Sequence, residues 1–177
     1  MSKGNAPEFH LGQAALLGAF GILAILAEAA PLGLAPTAQP SPDLLFGIIA
    51  YWAARRPDAT PILLVATLGL LRDLLTDVPV GAGALTLTLA SEFLRAQSGR
   101  LARTIYPFEW LIIAGVAAAM LLAQWAMVLV TLAQPPYLSY LAMQWIYTVS
   151  LIPVIALILR WLFGIRAKTA KRRTTEN

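Results

Sequence analysis

The sequence has no cysteine and only one histidine, and these shortages remove several kinds of chemistry. Without cysteine the chain can form no disulfide, no thiolate metal site and no cysteine nucleophile. The histidine, His10, stands at the edge of an apolar segment, where an interfacial position is its ordinary interpretation. Gly-x-Ser-x-Gly, His-Glu-x-x-His and phosphate-loop motifs are missing from the sequence as well. The sequence therefore predicts a protein that is not an enzyme and holds neither a metal nor a cofactor.

Charged residues are also scarce, at 12% of the chain against about 25% in soluble domains. Uncharged apolar segments recur instead, and we expect helices at 11–27, 44–54, 61–71, 80–94, 111–132 and 141–159. The last two are close to the ~20 apolar residues that span a bilayer core, whereas 44–54, 61–71 and 80–94 need tilt, local thinning or polar ends to cross. The predicted fold class is an all-α integral membrane protein with about six transmembrane helices, some of them short.

The basic residues predict the orientation of these helices. If loops alternate sides from a cytoplasmic N-terminus, every lysine and arginine except Arg72 lies on the cytoplasmic side, as the positive-inside rule requires. Both termini are then cytoplasmic, with 1–165 forming a single polytopic membrane domain and 166–177 a basic cytoplasmic tail. We expect the tail to anchor to anionic lipid through Lys168, Lys171, Arg172 and Arg173. Because these charges flank the membrane, the pI of about 9.8 does not indicate nucleic acid as a partner.

Two alternatives stay open on topology. Residues 44–71 can form a re-entrant hairpin buried against other helices, which leaves the remaining orientation unchanged. The first segment, with Lys3 before it and Ala27-Glu28-Ala29 after it, also resembles a cleavable secretory signal. Its apolar run is longer than a usual signal core, so we expect it to be retained.

Aromatic residues mark the expected membrane–water interfaces. Such residues favour headgroup depth because one end of the side chain is apolar and the other is polar. On the cytoplasmic side we assign Trp52, Tyr106, Phe108, Trp110 and Trp161, and on the other side Tyr137 and Tyr140.

The third and fourth segments carry small and charged residues at helical spacing. Gly69 and Asp73 share one face with Ala66 and Asp77. The next helix carries a similar stripe, with Leu85, Leu89 and Phe93 projecting elsewhere; its residues are Gly81, Ala84, Thr88, Ser91, Glu92 and Arg95. Two small-residue faces joined by a tight turn predict a closely packed hairpin. We expect Asp73 or Asp77 to accept hydrogen bonds from backbone amides near 81–83, with Asp77 as an N-cap.

The other charges of this region have local explanations. Arg72 can pair with a neighbouring acid or reach the outer headgroups by snorkelling, and Glu92 and Arg95 can offset each other. These residues either line a groove for a partner helix or pack the hairpin, and the sequence leaves both open. The candidate residues are Gly69, Arg72, Asp73, Asp77, Gly81, Gly83, Thr88 and Glu92.

The run Gly69-Leu70-Leu71-Arg72-Asp73-Leu74-Leu75 followed by Gly81-Ala82-Gly83-Ala84-Leu85 resembles the rod shape-determining protein MreD family. Pro40-Ser41-Pro42-Asp43-Leu44-Leu45 and Ser91-Glu92-Phe93-Leu94-Arg95 are similar to that family too, and the resemblance covers about 40–95. The chain departs from commoner members in the charged Arg72 and in Asp77-Val78-Pro79.

The resemblance implies a non-enzymatic scaffold subunit of the bacterial inner membrane that acts in cell elongation and lateral peptidoglycan synthesis. Implied partners are an MreC-like bitopic protein, an MreB-like filament, RodA and the elongation transpeptidase, and a homodimer is a further expectation. The implied fold is that of the substrate-binding membrane subunits of energy-coupling-factor transporters. A vitamin-binding transporter subunit is accordingly the alternative function, although this chain offers few convergent polar groups for such a ligand.

Overall fold

The chain folds into a bundle of α-helices in the computed structural model, which describes residues 7–30, 40–76, 79–101, 106–130 and 136–163. The helices are α1 (Pro7–Ala29), α2 (Leu44–Arg55), α3 (Ile62–Leu75), α4 (Ala82–Leu101), α5 (Tyr106–Val130) and α6 (Leu138–Phe163). A single 3-10 turn, Pro57–Ala59, connects α2 to α3. The described ranges contain no strand, so the predicted all-helical class is confirmed.

Each apolar segment that the sequence marks as a helix is one. Among the residues that the structure describes, three helices are long and apolar enough to cross a membrane, over the windows Gly12–Ala29, Pro107–Val130 and Leu138–Trp161. By contrast, α2 and α3 have 12 and 14 residues. At 1.5 Å per residue they reach about 18 and 21 Å, less than the ~30 Å thickness of a hydrocarbon core.

Consecutive helices run in opposite directions, which gives the bundle two distinct ends. At one end α1, α3 and α5 finish and α2, α4 and α6 begin; we name it the Arg72 end after the charge buried there. At the opposite end, named the Arg55 end, an ion pair of 2.6 Å joins Arg55 at the close of α2 to Glu109 at the start of α5. Polar side chains thus collect where helices begin and end.

The short helix α2 lies at the centre of the bundle. Nine of its twelve residues are buried, and it packs against α1, α4 and α6. Trp52 is 1% exposed and contacts Phe20 of α1, so the prediction that Trp52 marks a water interface is wrong. A side chain enclosed between helices in this way has no contact with headgroups. Phe108, Tyr137 and Trp161, assigned to interfaces by the same argument, are exposed.

The α3–α4 hairpin predicted from the small residues is present, and these two helices share the most extensive contact in the bundle. At Gly69 the helices approach so closely that a Cβ atom would lie 2.6 Å from the Cα of Ala84. The turn between them needs glycine at position 81, where φ is +95°. Leu85, Leu89 and Phe93 project away from α3 and are exposed, as predicted.

Gly69→Ala tests this close approach. We expect the substitution to lower the unfolding temperature in detergent, because the added methyl group meets the Ala84 backbone and overpacking costs about 1–3 kcal/mol. Gly99→Ala is the matched control, since a Cβ there meets nothing within 4 Å and alanine favours a helix over glycine by about 0.5–1 kcal/mol. Unfolding of Gly69→Ala at or above the temperature of Gly99→Ala would contradict the packing described.

Candidate functional site

Polar side chains from four helices meet at the Arg72 end. The group comprises Glu28 from the end of α1, Asp43 just before α2, Arg72 and Asp73 from α3, and Thr148 from α6. We refer to these five residues as the Arg72 cluster. Arg72 and Asp73 belong to the candidate set from the sequence, whereas the other three were not in it.

Asp43 makes three contacts with three different helices. Its Oδ1 accepts a hydrogen bond of 2.7 Å from the amide of Phe46, which makes it the N-cap of α2. Its Oδ2 accepts a bond of 2.8 Å from Nη1 of Arg72 on α3. Its own amide donates to Oγ1 of Thr148 on α6 at 2.9 Å. One residue therefore fixes the start of α2 against both α3 and α6.

Arg72 is buried, with 8% of its side chain exposed. Of the two predicted roles, pairing is therefore observed and snorkelling to headgroups is not. The acid it pairs with lies 29 residues earlier in the chain, at the start of another helix. A buried guanidinium without a counter-charge costs several kcal/mol, so the ion pair is what makes this position tolerable.

Asp73 is 1% exposed and closes the α3–α4 turn from inside. Its Oδ2 accepts hydrogen bonds from the amides of Gly81 at 2.9 Å and Ala84 at 3.0 Å. The predicted bond from a backbone amide near 81–83 to Asp73 is confirmed by the Gly81 contact. Helix starts present such free amides with a partial positive charge, which suits a carboxylate. Asp77, the other residue of that prediction, lies outside the described residues.

Gly83 is required because the Asp73 carboxylate occupies the space beside it. A Cβ atom at position 83 would lie 2.1 Å from Oδ1 of Asp73 and 2.9 Å from Nη2 of Arg72. Oδ1 itself is buried and accepts no hydrogen bond from any residue that the structure describes. Any side chain larger than glycine would therefore displace the carboxylate from the start of α4.

Glu28 brings a second carboxylate to the start of α2. Its Oε1 accepts a hydrogen bond of 3.0 Å from the amide of Leu45, so both Glu28 and Asp43 satisfy first-turn amides of the same helix. The sequence offered a signal for Asp43, because Pro-Asp before an apolar run is typical of an N-cap. It offered none for Glu28, which is 17 residues from the amide that it contacts.

Thr88 and Glu92 are not part of the Arg72 cluster. The Thr88 hydroxyl donates to the carbonyl of Ala84 on its own helix, and Glu92 pairs with Arg95 as predicted. Glu92 lies eight residues beyond Ala84, about 12 Å along α4 from the amide that donates to Asp73. Both residues are partly exposed, in contrast to Gly69, Asp73 and Gly83, which pack within the chain.

The Arg55 end has its own polar contacts. Nε of Arg95 donates to the carbonyl of Pro57 at 3.1 Å and so ties α4 to the 3-10 turn, while the Arg55–Glu109 pair ties α2 to α5. The predicted lipid anchor, Lys168, Lys171, Arg172 and Arg173, lies outside the described residues. Within the described ranges no group of three or more metal-binding side chains occurs.

A double-mutant cycle on Asp43 and Arg72 tests the central ion pair. Asp43→Asn keeps a capping oxygen but removes the carboxylate that pairs with Arg72, and breaking a buried ion pair costs about 3–5 kcal/mol. Adding Arg72→Gln removes the stranded charge, so we expect the double variant to be less destabilised than the sum of the two single variants. Thermal unfolding followed by tryptophan fluorescence measures each step.

The control for this cycle is Glu92→Gln, which breaks the partly exposed pair with Arg95. Exposed pairs contribute about 0–1 kcal/mol, so the unfolding temperature should scarcely move. Strict additivity of the Asp43 and Arg72 substitutions would show that the two side chains do not interact in the folded protein.

A comparison of the chain with protein-family models, curated proteins and solved structures finds no match in any of the three. What the protein does is therefore inferred from its own residues and their geometry.

Proposed function

We propose that the protein is a non-enzymatic scaffold subunit of the bacterial inner membrane that acts in cell elongation, between periplasmic and cytoplasmic components of the wall-synthesis machinery. The proposal rests on the positions of the residues that form the MreD-like pattern. Gly69, Asp73, Gly81, Gly83 and Ala84 all contribute to the α3–α4 contact or to the turn that joins these helices. The pattern thus coincides with one structural unit.

Buried polar contacts join the helices of that unit. The segment of the resemblance, 40–95, comprises α2, α3 and most of α4. Asp43 and Arg72 join α2 to α3, and Asp73 joins α3 to the start of α4. Oδ2 of Asp43 and Oδ2 of Asp73 both accept hydrogen bonds from within the chain. A rigid membrane body with its buried charges engaged in this way suits an assembly subunit.

Six membrane-spanning helices with both termini in the cytoplasm are part of the proposal. The shortness of α2 does not oppose it, because a helix surrounded by other helices need not match the bilayer thickness. Arg55, Arg95, Arg100 and Arg160 lie towards the Arg55 end, which would be cytoplasmic. Arg72, the exception in the sequence pattern, is paired inside the bundle.

The partner contact is assigned to the partly exposed side of α4 that carries Thr88 and Glu92. Gly69, Asp73 and Gly83 are covered by the chain itself, whereas Thr88 and Glu92 are partly exposed. An MreC-like membrane helix is the proposed occupant, with the MreB-like filament, RodA and the transpeptidase joined through the same assembly. We do not propose vitamin transport, because the groove of about 540 Å³ between α4 and α5 is almost wholly apolar and the cavity beside Arg55 and Glu109 holds only about 20 Å³.

Depletion of the protein in its host bacterium tests this function. We expect rods to widen and become round as the protein is diluted, since lateral wall synthesis would lose its membrane scaffold. Re-expression of the wild type should restore rods, whereas Gly83→Ala should not, because it displaces the Asp73 carboxylate. Rods of unchanged width after depletion would contradict the proposal. Loss of vitamin uptake without a change in cell shape would contradict it as well.

A photo-crosslinking residue at Thr88 tests the contact surface in the same cells. We expect an adduct with a bitopic periplasmic protein from position 88. The matched control is Leu157, which is 65% exposed on α6 and lies away from the proposed surface. Equal adduct yields from the two positions would contradict the assignment.

A further inference from the structure

An open groove lies between α4 and α5, with a volume of about 540 Å³. Its α4 side is formed by Thr86, Leu89, Ala90 and Phe93, and six residues of α5 from Ile112 to Ala123 form the other side. Thr86 supplies the only hydroxyl among the lining residues, and none of them is charged. None of the Arg72 cluster lines it, so the groove is separate from the site described above.

The groove exists because small residues leave the space between the helices unfilled. A Cβ atom at Gly115 would meet nothing within 4 Å, and Ala119 and Ala123 follow at four-residue spacing. At the end nearer the start of α4 the gap closes, where Nε2 of Gln124 donates to Oγ1 of Thr86 at 2.9 Å. A side-chain bridge between the two helices therefore bounds the groove at this end.

A positive charge lies beyond the other end of the groove, towards the Arg55 end. An exposed stripe runs along α4 through Leu85, Leu89, Phe93, Ala96 and Arg100. Leu89 and Phe93 line the groove, and Arg100 follows Phe93 by two helical turns on the same face, about 10 Å nearer the Arg55 end. A long apolar slot that leads to an arginine matches an amphiphile with an apolar chain and an anionic head.

We propose that this groove binds an anionic phospholipid, with an acyl chain between α4 and α5 and the headgroup phosphate beside Arg100. Length favours a lipid over a partner helix. The α5 wall from Ile112 to Ala123 measures about 16 Å, close to one leaflet, whereas a transmembrane helix needs contact over about 30 Å. The bond between Gln124 and Thr86 crosses the gap at one end. An acyl chain can end at this bond, whereas a transmembrane helix would have to continue past it. The binding site is independent of the proposed role in cell elongation.

Native mass spectrometry of the purified full chain tests the site, with dioleoylphosphatidylglycerol and dioleoylphosphatidylcholine as the two probes. We expect one tightly retained phosphatidylglycerol and weaker retention of phosphatidylcholine. Gly115→Leu places a leucine side chain in the groove, so part of the acyl chain can no longer be buried there. Loss of burial for two methylene groups of the lipid lowers its affinity about tenfold. Gly12→Leu is the matched control, since it adds the same side chain at an open, exposed position of α1.

Arg100→Gln tests the headgroup contact without altering the groove. Arg100 is exposed, and its loss should reduce the preference for phosphatidylglycerol over phosphatidylcholine about fivefold. This variant also keeps the proposal testable if Gly115→Leu does not fold. Wild-type retention of phosphatidylglycerol by both variants would overturn the proposal. So would a wild-type protein that holds a second copy of itself or another polypeptide in the groove in place of lipid.

Discussion

The ion pair between Asp43 and Arg72 is the contact on which the arrangement of the helices depends. A charge inside a membrane protein needs a counter-charge, and each of these residues is buried at less than one tenth exposed. Their pairing fixes the start of α2 beside the end of α3. The Asp43 carboxylate also caps α2, and the Asp43 amide donates to Thr148, so this one residue sets the positions of α3 and α6 relative to α2.

The remaining polar contacts extend this arrangement by a common principle, in which carboxylates meet the free amides of helix starts. Glu28 and Asp43 do so at α2, and Asp73 does so at α4. Apolar contact between helices gains little in lipid, so close approach and such hydrogen bonds hold the bundle together. A Cβ atom at position 69 would lie 2.6 Å from the Cα of Ala84, and one at position 83 would overlap the Asp73 carboxylate. These two positions therefore hold glycine, although other residues favour a helix more.

The sequence predicted the features that depend on neighbouring residues. Six helices follow from uncharged runs, and the Asp73–Gly81 bond joins residues only eight positions apart across a short turn. The Asp43–Arg72 pair and the Asp43–Thr148 bond span 29 and 105 residues, and no periodicity indicates which distant helices will meet. Trp52 was misassigned for the same reason, because aromatic position alone does not reveal that α2 is central. The groove at Gly115 depends on the gap between two helices, and the small residues of α5 do not by themselves show which helix lies opposite them.

A direct test of the central ion pair is its distance in a bilayer. With ¹⁵N in the Arg72 guanidinium and ¹³C in the Asp43 carboxyl group, rotational-echo double-resonance NMR on the protein in lipid measures the separation of these atoms. The 2.8 Å contact between Nη1 and Oδ2 predicts strong dipolar dephasing between the two labels. Dephasing no greater than that of a sample labelled at Arg72 and Glu92 would contradict this account of how the bundle is held together.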